Sequence, residues 1–429
     1  MQKIVALCKR RGFIYPGSEI YGGLAGTWDY GPLGTELKRN IKNQWWKDMV
    51  QLREDIVGLD AAIMMNPKTW EASGHVEAFT DPLVECKKCH KRFRADKLDV
   101  AEKCIEGNSQ HEFTEARKFN LLVKAYLGVL EEKQSEIYLR GEITQGVHVN
   151  FKNVLDSTRV RIPFGIAQIG KAFRNEITPG NFTFRSREFE QMENQFYIEP
   201  KEKEGEKWFE YWKKMRMDWY LKLGIKKENL RFRDHEEHER AHYARAACDI
   251  EYNSPFGWSE FEGIHNRGDW DLSRHEQYSG QSMKYRDPDS GDEYLPWVIE
   301  TSGGVDRAAL FFLIDAYSEK DGKVILKLHP KLAPFKAAVF PLLANKPELV
   351  KKAKEIYLDL KKDFMVVWDD RGNIGGRYAS QDEIGTPFCI TVDFQSLEDE
   401  MVTVRDRDSA KQDRVKIVDL RKYLDDKIT

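Results

Sequence analysis

The densest chemistry in the chain lies in residues 173–193, FRNEITPGNFTFRSREFEQME. Arg174, Arg185 and Arg187 share that stretch with Glu176, Glu188, Glu190 and Glu193. A guanidinium fork matches the planar oxygens of phosphates and carboxylates, so this pattern suits a substrate pair that brings two anions together. TPGN at 178–181 is a turn signal, which makes the stretch a strand, a loop and a returning strand. The same residues read equally as a solvated hairpin with cross-strand ion pairs. A second run, IETSGGVDR at 299–307, puts Glu300 at the end of a strand, two glycines in a turn and Arg307 at the head of a helix. Alone it is an ordinary turn.

Two further patterns concern metals. Cys86-x-x-Cys89 is half of a zinc set, and Cys104 supplies a third thiolate. Gly107 stands where a second CxxC would end, so His90 or His111 would have to complete a Cys₃His site. The alternative is a loop with free thiols. His238-Glu239-Arg240-Ala241-His242 matches HExxH. It lies in a crowded charged segment with no evident third ligand, and a zinc protease is set aside.

The elements that must position these groups follow from periodicity. Pro32 opens a helix running to about Arg53, and 56–67 reads as a strand ending at Pro67. Residues 80–120 form a polar, Cys-bearing insert. Residues 160–200 are strand-like, and a helix over 201–223 carries Trp208, Tyr211, Trp212, Met215 and Trp219 on one face. Residues 255–300 resume strands and loops, and SGGVDRAALFFLIDAY enters a buried helix. After about 330 strands and helices alternate, which predicts a separate α/β domain. The boundary falls in KVILKLHPKLAP, where Pro330 and Pro334 interrupt the chain.

With 429 residues, 41% hydrophobic and 32% charged, the chain has room for two to four domains with real cores. No stretch approaches the roughly 18 apolar residues of a membrane span, and MQKIVALCKR lacks the apolar core of a secretory signal. Six scattered or clustered cysteines do not form a disulfide framework, which predicts a reducing cytoplasm and no membrane. Net charge is −3, so any nucleic acid must be met by local basic patches. The candidates are Arg371, Arg377, Arg405, Arg407 and Lys411, with Arg377 favoured because it opens a helix beside Gly375-Gly376.

Taken together and in order, the RxE–loop–RxxxF text and the glycine turn ending in Arg307 resemble motifs 2 and 3 of class II aminoacyl-tRNA synthetases, and Pro67 resembles motif 1. RGFIYPGSEIYGGLAGTWDYGPLG, WEASGHVEAFTDPLVECKKC, GEITQGVHVNFKN, AHYARAACDIEY, PFGWSEFEGIHNRGDWDL and GGRYASQDEIGTPFCITVD resemble the glycyl-tRNA synthetases of the homodimeric type, nearly end to end. The resemblance implies an α/β chain: an antiparallel catalytic sheet flanked by helices over 1–329, with the insert at about 80–120, and an anticodon-binding domain with a mixed five-stranded sheet over 330–429. It implies a homodimer that activates glycine with ATP and Mg²⁺ and passes it to the 3′-terminal adenosine of tRNA(Gly).

The family's roles carry over residue by residue. Arg174 and Arg307 would be catalytic. Arg174, Asn175, Glu176, Phe184, Arg185, Ser186, Arg187, Glu188 and Phe189 would contact ATP, as would Glu260, Phe261, Gly304, Val305, Asp306 and Arg307. Phe189 would stack on adenine with Arg307 on the nucleotide's other face. Glycine would meet Arg94, Glu142, Phe189, Glu190, Gln191, Met192 and Glu193, then Glu300, Thr301, Ser302, Gly303 and Gly304. Glu260 and Glu300 stand where the class places metal carboxylates. Glu142 taken alone is an ordinary surface glutamate. Gly141 replaces the family's usual proline, and His148 stands where an apolar residue is usual. A synthetase-like binding protein should have lost the phosphate arginines, which this chain keeps, and a ligase acting without tRNA would have no use for the second domain.

Overall fold

The computed structural model describes residues 1–100, 104, 110–129, 135–239 and 244–428. The HExxH text runs into 240–243, and Gly107 is likewise outside the described residues.

Strands of alternating polarity build one large sheet. Its members are β1 (Ile56–Gly58), β2 (Phe164–Phe173), β3 (Glu188–Ile198), β4 (Leu230–Asp234), β5 (Ala246–Ser254), β6 (Gly257–Gly268) and β7 (Trp297–Gly304). They lie in the order β4-β5-β6-β7-β3-β2-β1, antiparallel throughout except that β1 runs parallel to β2. One face is apolar. Phe196, Ile198, Phe261, Ile264 and Ile299 are buried there against the helices Pro32–Trp46, Glu202–Lys222 and Val305–Ala316. The other face is apolar at one end, under the helices Thr144–His148 and Trp270–Ser279, and polar at the other. A sheet covered on one face and part of the other leaves one polar concavity.

Several expectations change. The strand at 56–67 stops at Gly58, and Pro67 instead opens the helix Pro67–Ala72, where the Asn66 side chain accepts from the Lys68 amide. Proline has no amide to donate to a sheet and is pre-set for a first helical turn. The helix from Pro32 is regular to Trp46 and closes in a wider turn over Lys47–Gln51. The aromatic face of Glu202–Lys222 is core, except that Tyr211 is exposed and receives a hydrogen bond from Arg53. The glycines 303 and 304 are strand residues and not a turn, and Glu300 lies mid-strand. A β-carbon on Gly303 would sit 3.3 Å from Glu262 Oε2, Met192 Cε and the Tyr220 hydroxyl, so the requirement there is close approach.

The C-terminal residues fold as the expected mixed sheet. β8 (Ala337–Pro341), β9 (Val366–Trp368), β10 (Phe388–Val392), β11 (Met401–Asp406) and β12 (Gln412–Lys416) take the order β9-β8-β10-β11-β12, the first two pairings parallel and the last two antiparallel. Helices Pro347–Leu360 and Leu420–Ile428 cover one face, and Ile374–Ile384 the other.

The basic patch expected on this sheet is largely spent internally. Arg377 is 2% exposed and donates to the carbonyls of Pro341, Asp370, Arg371 and Gly372. Arg407 is buried on the carbonyls of Gly385 and Leu328, and Arg405 forks onto Asp382. Each closes a connection whose carbonyls or carboxylate would otherwise be left without a donor. Arg371 and Lys411 remain exposed. Arg377→Ala would strand buried carbonyls at about 1–3 kcal/mol for each one unsatisfied. Its urea midpoint should therefore fall clearly below wild type, while Arg371→Ala should change stability by less than about 0.5 kcal/mol. Matching midpoints for the two variants would show that Arg377 has no structural role.

Candidate active site

The polar end of the large sheet forms a cleft of about 400 Å³, walled by the loop between β2 and β3, the helix start at 305–307 and the insert. Its electrostatics run from a cationic wall to an anionic floor.

The wall is built by chain reversals. β2 ends at Phe173, so Arg174 leaves the sheet, and its Nε donates to the Gly141 carbonyl at 3.0 Å. Its guanidinium lies 5.0 Å from the Phe79 ring centre and 5.3 Å from that of Phe189. Arg185 approaches Glu176 at 3.8 Å. Arg307, in the first turn of its helix, sits over Phe184 at 4.6 Å and pairs with Glu260 at 2.8 Å. Glu260 reaches the cleft because of a β-bulge. Ile250 pairs with Glu262 and Glu251 with Glu260, so Phe261 is the extra residue. The bulge sends both Phe261 and Glu262 into the core and Glu260 to the opposite face. Arg307 holds the Glu260 carboxyl below its ordinary range.

The floor is a row of side chains on one face of three paired strands. Glu193 faces Ser302, which faces Gly263, and Gln195 faces Glu300, which faces His265. Three carboxylates meet here: Glu142, Glu193 and Glu300. Glu300 takes Arg267 Nη1 at 3.1 Å, His265 at 2.9 Å and the Gln195 amide at 2.9 Å. Arg267 forks onto Asp271 at the same time. Burial would raise the Glu300 carboxyl, but Arg267 and His265 outweigh it and hold it low. Burial acts likewise on Glu142, where His75 and then Arg267 bring the carboxyl down to about 2. Among the described residues Glu193 has only neutral hydrogen-bond partners: Thr144 and Ser302 hydroxyls at 2.6 Å and the Gln191 and Gln195 amides at 2.8 and 3.4 Å. Burial and the neighbouring Glu300 and Glu142 push it up to about 8.

Of the anticipated residues, the cleft brings together Arg94, Glu142, Arg174, Glu176, Phe184, Arg185, Ser186, Phe189, Glu190, Gln191, Glu193, Glu260, Glu300, Ser302, Gly304, Asp306 and Arg307. It does not include the alternate residues of the same strands. Met192, Thr301 and Gly303 lie on the other face because strand positions alternate; Phe261 is sent there by the bulge, and Val305 is buried at the start of its helix. Arg187 turns away to the carbonyls of Ala25 and Glu176, Glu188 pairs with Lys171 outside, and Asn175 is tied by its amide to Leu121. Phe189 stands beside Arg174, and Arg307 lies over Phe184, with both Phe189 and Arg307 lining the cleft. Thr144, His265 and Arg267 belong to the floor and were not anticipated. The signal for the last two was the alternation of β6, in which Gly263 and His265 share a face.

In the insert, the ligand atoms of Cys86, Cys89, Cys104 and His111 all lie within 4.8 Å of one another. Cys86 Sγ is 3.9 Å from Cys104 Sγ, and Cys89 Sγ is 3.6 Å from His111 Nδ1. Zinc–sulfur bonds of about 2.3 Å give tetrahedral edges of about 3.8 Å, so the set fits zinc. Burial opposes ionisation of Cys86, but backbone amides and His111 bring its thiol down to about 5. His90 is set aside: it lies against Glu85 on the surface.

Residues 336–427 match the anticodon binding domain family. The chain is 53% identical over 459 residues to the glycine–tRNA ligase of Alkaliphilus oremlandii, with 100% of this chain and 98% of that protein covered. It is 54% identical over 458 residues to that of Caldanaerobacter subterraneus subsp. tengcongensis (100% and 98% covered). It is 53% identical over 432 residues to that of Borreliella burgdorferi (99% and 96% covered). Together with a cleft that keeps three arginines over a carboxylate floor, these full-length matches show that the chain belongs to the glycine–tRNA ligase family.

Proposed function

We propose that the protein charges tRNA(Gly) with glycine, and that the cleft between the arginine wall and the carboxylate floor is where glycine and ATP react. The observation that carries this reading is the opposed charge of wall and floor, Arg174, Arg185 and Arg307 against Glu142 and Glu300. ATP is a polyanion and belongs against the arginines. Glycine presents an ammonium to the floor and a carboxylate to Arg174, whose Nη atoms have no protein hydrogen-bond partner among the described residues. A glycine carboxylate oxygen attacks the α-phosphorus, and the bond to the β-phosphate bridging oxygen breaks. Pyrophosphate leaves and glycyl-adenylate remains. Arg174 would stabilise the charge gathering at the α-phosphate, Arg185 the phosphate tail and Arg307 the nucleotide. The terminal ribose hydroxyl of tRNA then attacks the carbonyl, loses its proton, and AMP departs. Selection against larger amino acids would come from the floor side chains Glu142, Glu193, Glu300 and Ser302 crowding the space beside the glycine α-carbon.

Magnesium would bring phosphate charge neutralisation to this site. Glu260 fits it, as a half-exposed carboxylate on the cleft wall. Glu300 does not: it is 3% exposed, and both its oxygens are taken by protein donors. In the insert we assign zinc to Cys86, Cys89, Cys104 and His111. We divide the chain at about 329/330, which the separate apolar cores and the start of the anticodon-domain match support. We also propose a class II homodimer, supported by Ile20 and Tyr21, each 87% exposed beside Leu24 on the glycine-rich N-terminal segment. We propose a cytoplasmic location, and no described helix is long and apolar enough to cross a membrane.

Arg174→Ala should slow glycine-dependent ATP–pyrophosphate exchange by about 10²–10³, the usual loss for one transition-state donor. Arg174→Lys should recover little, since an ammonium lacks the fork. Exchange near the wild-type rate in Arg174→Ala would remove this arginine from the mechanism. Purified protein should hold one zinc per chain by elemental analysis, and Cys104→Ser should lose it; zinc-free wild type would refute the assignment. Glu193 generates a third outcome. Between its ordinary carboxyl range and about 8, the folded chain holds a proton that the unfolded chain has released. Stability must therefore fall as pH rises through that window. Calorimetry should show a smaller fall in Glu193→Gln, which keeps the neutral form at every pH, and equal falls would mean that Glu193 is ionised in the folded chain.

A further inference from the structure

The two carboxylates that flank Glu193 are backed differently. Glu300 is gripped by the Arg267 guanidinium, which offsets its charge at contact distance. Among the described residues Glu142 has no guanidinium in contact, and Arg267 acts on it only from a distance. It takes the Gln145 amide at 3.1 Å on one oxygen and His75 Nε2 at 3.3 Å on the other. His75 is not in the cleft lining. It is 8% exposed and lies behind Glu142, edge-on to Trp70 with ring centres 5.2 Å apart and tilted against Phe79 at 5.0 Å. Gly74, in the left-handed region at φ 79°, turns the chain so that His75 begins the short helix His75–Ala78. The other ring nitrogen, Nδ1, is 2.8 Å from the Ser73 hydroxyl.

These contacts define a relay. The Glu142 carboxylate can only accept, so the ring nitrogen facing it, Nε2, carries the hydrogen, while Nδ1 is held by the Ser73 hydroxyl, which also reaches the Trp70 carbonyl at 3.4 Å. A ring N–H orients the carboxylate by a hydrogen bond from one edge and leaves its cleft side open. A lysine or arginine at the same point would cancel the carboxylate's charge and repel an incoming ammonium. The aromatic walls of Trp70 and Phe79 also admit a flat ring. We propose that His75 is a positioning residue for glycine: through Nε2–H it fixes Glu142 as the counter-charge for the substrate ammonium. This rests on the reading that Glu142 holds that ammonium.

The test separates the two. Pyrophosphate exchange would be measured in His75→Phe, which keeps a ring without a donor, and in His75→Gln, which keeps a donor without the ring. Glu142→Gln and the His75→Phe/Glu142→Gln double variant complete the set. The expected result is a glycine KM raised about tenfold or more in His75→Phe, the loss of one charge-assisted hydrogen bond, with the KM for ATP unchanged. His75→Gln should recover most of the loss, and the double variant should be no worse than Glu142→Gln. If Glu142→Gln raises the glycine KM while His75→Phe does not, the inference falls and the reading of Glu142 stands. A KM for ATP that rises in step, failure of His75→Gln where His75→Phe succeeds, or additive losses in the double variant would each make His75 a packing residue and overturn the inference. An unchanged glycine KM in Glu142→Gln overturns the reading itself.

Discussion

Glu142, Glu193 and Glu300 crowd one cleft floor, the first and last ionised and resisting burial, and the Arg267 guanidinium is what makes the arrangement tenable. It spans Asp271 and Glu300, both almost fully buried, with paired hydrogen bonds to each. Desolvating such groups costs several kcal/mol per ion unless geometry and hydrogen bonding are nearly complete. Here the completion comes from several elements at once. β6 supplies Arg267, the helix Trp270–Ser279 supplies Asp271 one turn later, and β7 supplies Glu300. The Gln145 amide closes the far side of Asp271. The position of that helix over the sheet and the charge of the floor are thus a single constraint.

A second buried pair acts on the opposite face. Arg216 forks onto Glu262 in the core, with the Tyr220 hydroxyl at 2.6 Å. It sits directly behind Gly303, whose missing β-carbon lets the strand pass. The substrate-facing strands are therefore clamped between two ion pairs, one on each side. Fixed dipoles and charges around a cleft lower the reorganisation that chemistry there requires.

Much of this was legible in the residues and some was not. The reversal at TPGN, the aromatic stripe on Glu202–Lys222 and the alternating elements after 330 each express a local rule, and the structure follows them. The arginines at 174, 185 and 307 and the glutamates at 142, 193 and 300 do share one cleft. What a contiguous run of residues conceals is which face each occupies. Met192 and Thr301 were grouped with their neighbours, and the period of two sends them to the core. The bulge at Phe261 reverses that period locally and has no marker in the text. Arg377 and Arg407 looked like nucleic-acid contacts because charge suggests exposure. Their guanidiniums instead satisfy backbone carbonyls, a demand set by tertiary packing that no spacing displays.

The bulge has a consequence for how this strand can vary in length. Because Phe261 is supernumerary in the pairing of β5 with β6, the two faces are in phase on one side of it and out of phase on the other. Removing one residue before Glu260, such as Ser259, would restore the regular ladder by turning the Phe261 ring toward the arginines and burying the Glu260 carboxylate among Tyr220, Tyr252 and Phe311. Adding one beyond the hairpin tip at Pro255–Gly257 would merely lengthen an exposed turn. Insertions and deletions in this region should thus be confined to the tip, with the count between Trp258 and Gly263 held constant across any lineage that keeps the reaction.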